Sequence, residues 1–371
     1  MSSAMTGRIV VFGATGYTGR LVAERLAGAG ERPVLAGRSQ EKLDALAADL
    51  GGLETARADV MRSNSVSALV EEGDVMVSTV GPFAKWGEPA VRAAISRRAA
   101  YLDSTGEAVF IRRVFEHHGP AAARAGVPLM TAMGYDFVPG ALAGALALEQ
   151  AGNAAVRVDV GYYALGMNAQ SGSAGTRASL VGATLNDAHA FRGGALRTMR
   201  TAERVRSFTV KGKQRAAVSI GGAEHFGLPV SYPHLLEVNV YLGWFGALAR
   251  PMQAGSLVGS VATKVPGVRD ALEFAGTRLA ALAEGPEPGT TGGGQSWIAA
   301  QAYDAGGEAI AEVHLAGANW YAFTADFMAW AARAAAAGRV KGSGALGPVE
   351  AFGLAELERG CAAAGLSRTG A

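Results

Sequence analysis

The sequence predicts an α/β protein: a Rossmann-type doubly wound parallel sheet, plus a second α+β domain with a mixed, mostly antiparallel sheet. Three observations carry this. Up to about residue 150, short β-branched runs alternate with amphipathic runs, the pattern of right-handed βαβ crossovers. The first apolar run opens directly onto a glycine-rich turn and a helix, "VVFGATGYTGRL". Beyond "GYDFVPGALAGALALEQAG" the strands lengthen and alternate, as in "AAVRVDVGYYAL", "ERVRSFTVKGKQRAAVSI" and "HLLEVNVYLGW", the period of an antiparallel sheet.

The elements follow in order. "RIVVFG" is the first strand and "YTGRLVAERLAGAG" a helix with Leu21, Val22 and Leu26 on one face. "RPVLAG" is the second strand and "SQEKLDALAADL" the next helix. "DVMVSTV", "AYLDS" and "VPLMTAM" are strands, each preceded by helical sequence. In the second half, a Gly/Ser-rich segment at 172–189 reads as helix-like, 244–282 as a long helical stretch, and 284–295 as a loop on turn chemistry. "GQSWIAAQAYD" and "EAIAEVHLAGAN" are strands, and the tail from Trp320 is helical and alanine-rich.

Composition narrows the class. Apolar residues make up 49% and charged residues 18%, which fits a globular chain. A net charge of +2 is too small to argue for nucleic acid or an acidic membrane surface as partner, and no nucleic acid is expected. Cys361 is the only cysteine, which excludes an intrachain disulfide and a cysteine-based metal site. His117 and His118 sit on a helical segment, and His225 and His234 read as isolated, so no metal is expected. The start runs straight into a strand without the features of a signal peptide, which points to the cytoplasm. Arg250 and Pro251 interrupt the apolar stretch at 244–262, so a buried helix is expected there and no transmembrane segment.

The glycine loop carries chemistry. Gly13, Gly16 and Gly19 lie between the first strand and the first helix. Gly13 permits a tight turn, Gly16 lets the backbone approach a pyrophosphate, and Gly19 lets the helix pack on the sheet. The helix N-terminus offers N–H groups and a positive dipole end to phosphates. The spacing is GxxGxxG, weak by itself, but the strand before and the helix after favour a dinucleotide site. At the tip of the second strand, where an acid would hold the ribose of NAD, stands Arg38. Its guanidinium suits a 2′-phosphate, so NADP (NADPH) is the expected cofactor. Ser39 and Lys42 are placed to help, though Ser39 is also a helix N-cap candidate and Lys42 suits solvent. Asp59 ends the third strand and suits either the adenine edge or an exposed turn.

Across the crevice the loop "VGPFAKWGEP" follows the fourth strand. Phe83 and Trp86 fit either a nicotinamide wall or interior packing, and Lys85 either a substrate contact or a surface charge. Ser104 and Glu107 make an S-x-x-E capping box, which leaves Asp103 at the strand end for another role. Gly134, Tyr135 and Asp136 form an exposed turn before a helix that starts near Pro139. Tyr135 and Asp136 are the proton-handling candidates, with helix capping as the alternative for Asp136.

Together these stretches resemble the saccharopine dehydrogenase-like family of NADP-dependent oxidoreductases. "VVFGATGYTGRLVAERL", "VLAGRSQEKLDAL", "VSTVGPFAKWGEPAVRAAI", "AYLDSTGE" and "GYDFVPGALAGALA" occur in the family's order, and "YAFTADFMAWAARAAAAG" with "GALGPVEAFGLAELERG" match its closing helices. The resemblance implies that these helices return to the Rossmann domain. That domain then takes 1–137 and 319–371, with a substrate and dimerisation domain at 138–318. It also implies cofactor contacts from Gly13, Thr15, Gly16, Tyr17, Thr18 and Gly19, from Arg38 and Ser39, from Thr79, Val80, Gly81, Pro82 and Phe83, and from Asp103, Ser104 and Gly106. Within this family the sequence more resembles the bacterial branch that includes trans-acting enoyl reductases. It departs from true saccharopine reductases, which have "GLDPG" where this chain has "GYDFVPG".

The resemblance implies an enoyl reductase acting on a small-molecule or carrier- or CoA-linked substrate. In that reading "SGSAG" (171–175) lines an acyl or pantetheine channel. An imine or iminium reductase is the alternative, with Arg177, Arg192, Arg197 and Arg200 as partners for substrate carboxylates. A redox-inactive NADPH-binding regulator is the alternative from another class.

Overall fold

A computed structural model describes residues 7–166, 187–244, 246–262, 294–317 and 319–369. The chain divides into two units. The first takes the chain to Thr105, then Phe110–Asp136 and Tyr321–Ala364; the second takes Gly106–Val109, Phe137–Trp320 and the residues from Gly365 on.

In the first unit six strands alternate with helices: β1 (Ile9–Phe12), β2 (Val34–Gly37), β3 (Thr55–Arg57), β4 (Val75–Ser78), β5 (Ala100–Asp103) and β6 (Pro128–Met130). With the short strand Gly344–Ala345 outside β6, they form one parallel sheet in the order β6, β5, β4, β1, β2, β3. β1 therefore lies between β2 and β4, at the point where strand order reverses. Every residue of β1, β2 and β4 is buried, as a sheet covered on both faces requires. Phe12, Met76, Tyr101, Phe110 and Leu129 anchor the core on one face. The helix Tyr17–Gly28 turns Leu21, Val22 and Leu26 inward, as the periodicity predicts. The helix Gln40–Asp49 is capped by Ser39, whose hydroxyl accepts the Lys42 N–H.

The second unit is built on a nine-stranded sheet. Its strands are β7 (Arg157–Leu165), β8 (Asp187–Arg192), β9 (Ala195–Arg200), β10 (Val205–Val210), β11 (Lys213–Ile220), β12 (Glu237–Leu242), β13 (Gln295–Tyr303), β14 (Ala309–Gly317) and, after β15 (Gly344–Ala345) of the first unit, β16 (Leu366–Arg368). All pairs are antiparallel except β7 with β12. The helix Val138–Ala151 is buried from Val138 to Leu148 and packs across β7, β13 and β14. Its sequence is apolar all round because no face of its first three turns meets water. β10 and β11 curl over the opposite face, where Phe208 covers Gly161; a Cβ at Gly161 would lie 2.9 Å from the Phe208 ring.

Three expectations are corrected. Asp187–Arg192 is a strand, not part of a helix-like segment, and it forms a hairpin with β9. The turn is Gly193–Gly194, with φ of 61° and 71°, the left-handed pair that a two-residue hairpin needs. β16 pairs with β14, so the last residues belong with the second unit rather than with the first. The helix after β5 begins at Ala108, four residues beyond Ser104, so Ser104 and Glu107 do not form a capping box. The remainder of 172–189, the helical stretch beyond Ala262 and most of the loop at 284–295 lie outside the described residues.

Candidate functional site

The carboxyl ends of β1, β2, β4, β5 and β6 bring the sequence-predicted residues of the first unit to one edge of its sheet. Gly13 has φ +92°, a region that side chains disfavour, and its N–H and that of Ala14 donate to the Ala36 carbonyl. The Thr79 hydroxyl closes the turn from β4, 3.2 Å from the Phe12 and Gly13 carbonyls. A Cβ at Gly19 would sit 2.2 Å from the Gly13 carbonyl, so this glycine is fixed by helix–loop packing. Gly16 is different: its φ is −79°, and a Cβ there would meet only the Gly13 carbonyl, at 3.3 Å. Thr15 and Gly16 are exposed, and Tyr17 and Thr18 are half-buried. Gly16 is the N-cap of the helix and has no side chain with which to cap it.

At the end of β2, Arg38 is exposed, and no carboxylate among the described residues pairs with it. Lys42 is exposed too, while Ser39 serves as the N-cap. The sequence did not single out Arg57, an exposed guanidinium residue at the end of β3, in register with Gly37. Asp59 makes a local turn, its carboxylate accepting the Met61 N–H at 3.0 Å.

After β4, Thr79 and Val80 are half-buried, and Gly81 and Pro82 are exposed. Phe83 faces inward, its ring 5.6 Å from Phe110, so it packs the core and leaves only backbone for a ligand. Trp86 is half-buried with the Lys85 ammonium 4.6 Å from its ring.

Asp103 also faces inward. It is fully buried and accepts the Thr105 N–H (2.9 Å), the Ala132 N–H (2.9 Å) and the Thr131 hydroxyl (2.8 Å). Its carboxylate thus serves the fold and offers no oxygen to a cofactor. Burial raises its pKa to about 6 against the pull of those hydrogen bonds. Ser104 is half-buried, and Gly106 is grouped with the second unit.

The turn after β6 is present but not exposed. Gly134 and Tyr135 are buried; Tyr135 keeps 3% of its surface, its N–H donates to the Thr324 hydroxyl at 3.0 Å, and its ring lies edge-on to Phe323. Asp136 retains part of its surface, while its Oδ1 is enclosed and has no hydrogen-bond partner. Burial raises its carboxyl to about 6. Phe137 is the N-cap residue of the next helix and no side chain caps it, so Asp136 does not act as the cap. Thr324 and Tyr321, which packs edge-on to Tyr17 at 4.8 Å, come from the helix Trp320–Ala336. Sequence reasoning missed both: Thr324 stands 189 residues from Tyr135, and neither belongs to a local motif.

The second unit holds its own buried polar group. The Tyr162 hydroxyl takes the Gly140 N–H (2.8 Å) and donates to Glu224 (2.6 Å), so it caps the helix Val138–Ala151 from outside. His225 is not isolated: its ring lies 5.3 Å from that of His189, and burial followed by that neighbour pushes its pKa well down. Arg192 pairs with Glu203 at 2.7 Å and Arg200 binds Gln253 and Ser256; both sit on strands, not helices. Arg177 and "SGSAG" lie outside the described residues. No group of three or more His, Cys, Asp or Glu among the described residues is arranged to hold a metal, and no described helix is long and apolar enough to cross a membrane.

Residues 9–130 match the family model of the saccharopine dehydrogenase NADP binding domain. The resemblance drawn from the motifs is thereby borne out, and the domain supports NADP(H) binding. Two curated relatives are the trans-acting enoyl reductases of Mycobacterium leprae (37% identical over 137 residues) and Mycobacterium tuberculosis strain H37Rv (36% over 137 residues). Each match covers 35% of this chain and 33% of the relative, so the chain spans about a third of the length of these curated relatives. Among solved structures, the apo saccharopine dehydrogenase (L-Glu forming) of Saccharomyces cerevisiae is similar at a TM-score of 0.60. The two are 15% identical, with 95% of this chain and 96% of that one covered. At that identity the likeness shows the fold, a parallel Rossmann-type sheet with a mixed second sheet.

Proposed function

We propose that this protein is an NADPH-dependent oxidoreductase that reduces the carbon–carbon double bond of a thioester-linked substrate of lipid or polyketide type, carried on coenzyme A or a carrier protein. The observation that carries the cofactor half is the glycine loop. Gly13 and Gly19 are demanded by the fold, whereas Gly16 has an ordinary negative φ and a Cβ there would meet only the Gly13 carbonyl, a tight contact at 3.3 Å. A bare backbone at a helix N-terminus fits a pyrophosphate. Arg38, exposed and without a carboxylate partner among the described residues, supports a 2′-phosphate and hence NADPH.

When bound, NADPH would supply a hydride for the β-carbon of the substrate. The chain's residues must then hold the developing charge on the thioester oxygen and deliver a proton to the α-carbon. Asp136 is the proposed donor in place of Tyr135. The Tyr135 ring is buried within the first unit, whereas Asp136 keeps open surface and a carboxyl held near 6, so a protonated fraction persists close to neutral pH. The names of the curated relatives support the enoyl substrate. The imine reading loses support because Arg192 and Arg200 are engaged within the second unit.

The test is titration with NADPH and NADH, then NADPH oxidation with enoyl thioesters and cyclic imines. Binding with turnover of enoyl thioesters supports the proposal. Turnover of imines alone favours the alternative substrate, and binding with no turnover of either favours the inactive regulator. Failure to bind NADPH overturns the cofactor reading.

A further inference from the structure

We infer that Asp103 is a positioning residue that fastens together the loops after β5 and β6, and so holds the candidate cofactor and proton-handling residues of the first unit in one arrangement. The inference rests on the NADPH reading above and adds a residue that acts through others, without touching the ligand.

The geometry is specific. Asp103 ends β5, beside Ser78 of β4 and one residue past the last β5–β6 pair, Leu102 with Met130. Where the ladder stops, its side chain takes over. Oδ1 receives the N–H of Thr105 from its own loop and the N–H of Ala132 from the neighbouring loop; Oδ2 receives the Thr131 hydroxyl. The Asp103 carbonyl receives the Met133 N–H at 2.7 Å. A carboxylate is the side chain that answers this arrangement, because it only accepts and has two oxygens to divide between two loops.

Two features indicate that the tether holds a conformation the loop would not choose. Ala132 has φ +59°, a left-handed conformation that an alanine disfavours. A carboxylate with no exposed surface is also costly to bury, and only its donors offset that cost. The segment that gains is the turn Gly134–Asp136, which starts one residue past Met133. The Tyr135 N–H inside the turn is held by the Thr324 hydroxyl. Asp136 therefore follows a loop pinned at Ala132, Met133 and Tyr135, and Ser104 lies between Asp103 and Thr105, which are bonded to each other.

The experiment compares wild type, Asp103→Ala and Asp103→Asn by hydrogen exchange and by NADPH titration. In Asp103→Ala the amides of 104–107 and 131–136 should exchange at least ~10-fold faster, with β1 and β4 unchanged, and NADPH affinity should fall about 10-fold. Asp103→Asn keeps one acceptor oxygen for the two N–H groups, and the Thr131 hydroxyl can turn to accept, so both readouts should return to near wild type. Wild-type exchange and affinity in a folded Asp103→Ala overturn the proposal. So does lost affinity with unchanged exchange, which would mean that Asp103 meets the cofactor directly. If Asp103→Ala does not fold, Thr131→Val removes one tether at nearly constant volume. Faster exchange confined to 131–136 then supports the role, and wild-type exchange overturns it. If wild type fails to bind NADPH, the cofactor reading falls while the exchange measurements still decide the tether.

Discussion

At the scale of single residues, charge and exposure decide which candidates can meet a ligand. Arg38 is exposed at the end of β2, with no carboxylate partner among the described residues. A charge-assisted bond to a phosphate is worth ~1.5–3 kcal/mol, so Arg38→Asp should shift the NADPH-over-NADH preference by more than ~10-fold. Titration calorimetry with both cofactors checks this, and equal losses for the two would count against a 2′-phosphate contact. Tyr135 and Asp136 separate in the same way. Tyr135→Phe should leave turnover near wild type, because that ring is buried against Phe323. Asp136→Asn keeps the shape but cannot give a proton, so turnover should fall by ~10²-fold with little change in NADPH affinity. Single-turnover kinetics with an enoyl thioester compare the two; the reverse ranking would return the role to Tyr135.

At the scale of elements, the parallel sheet was legible and the β8–β9 hairpin was not. Short, β-branched apolar runs such as "IVVF" and "VMVS" suit strands buried on both faces, and their alternation with amphipathic helices points to a parallel sheet. The hairpin has weaker runs, yet its turn "GG" at 193–194 was a usable signal. The capping-box expectation at Ser104 failed because Asp103, not Ser104, takes the first free N–H of that loop. In the glycine loop each glycine has its own reason, and Gly16 is the least constrained of the three, a Cβ there meeting only the Gly13 carbonyl at 3.3 Å. Gly16→Val puts a branched side chain on the outer face of the loop. The variant should keep its circular dichroism spectrum and lose NADPH binding; normal binding would make the loop a mere connector.

At the scale of the whole molecule, sequence pattern revealed which strand ends gather, but not which side chains turn inward there. Asp103, Phe83 and Tyr135 all fall in motifs of the right kind, and each is buried by packing that involves residues distant in the chain. Burial of ionisable groups also sets how stability depends on pH. Asp103 and Asp136 have carboxyls raised from 3.8 to about 6 by desolvation. The folded chain then holds protons that the unfolded chain has released, so their contribution is present below 3.8 and lost as pH rises through about 6. His225 runs the other way. Its pKa is depressed by burial, so below the ordinary 6.5 the unfolded chain binds the proton first and stability falls as pH drops. Between 3.8 and about 6 the two effects oppose each other, and two carboxyls losing stability outweigh one imidazole gaining it, so the contribution of these groups is greatest near 3.8 and falls as pH rises to about 6. Each tenfold change in a protonation equilibrium is worth ~1.4 kcal/mol, and solvent at the open surface of Asp136 screens part of that. Asp136→Asn should therefore gain about 1 kcal/mol over wild type at pH 8 and little at pH 4. Urea unfolding of wild type and Asp136→Asn at pH 4, 6 and 8 measures this. A difference that stays constant across the three would mean that Asp136 ionises in the folded chain as it does in the unfolded one.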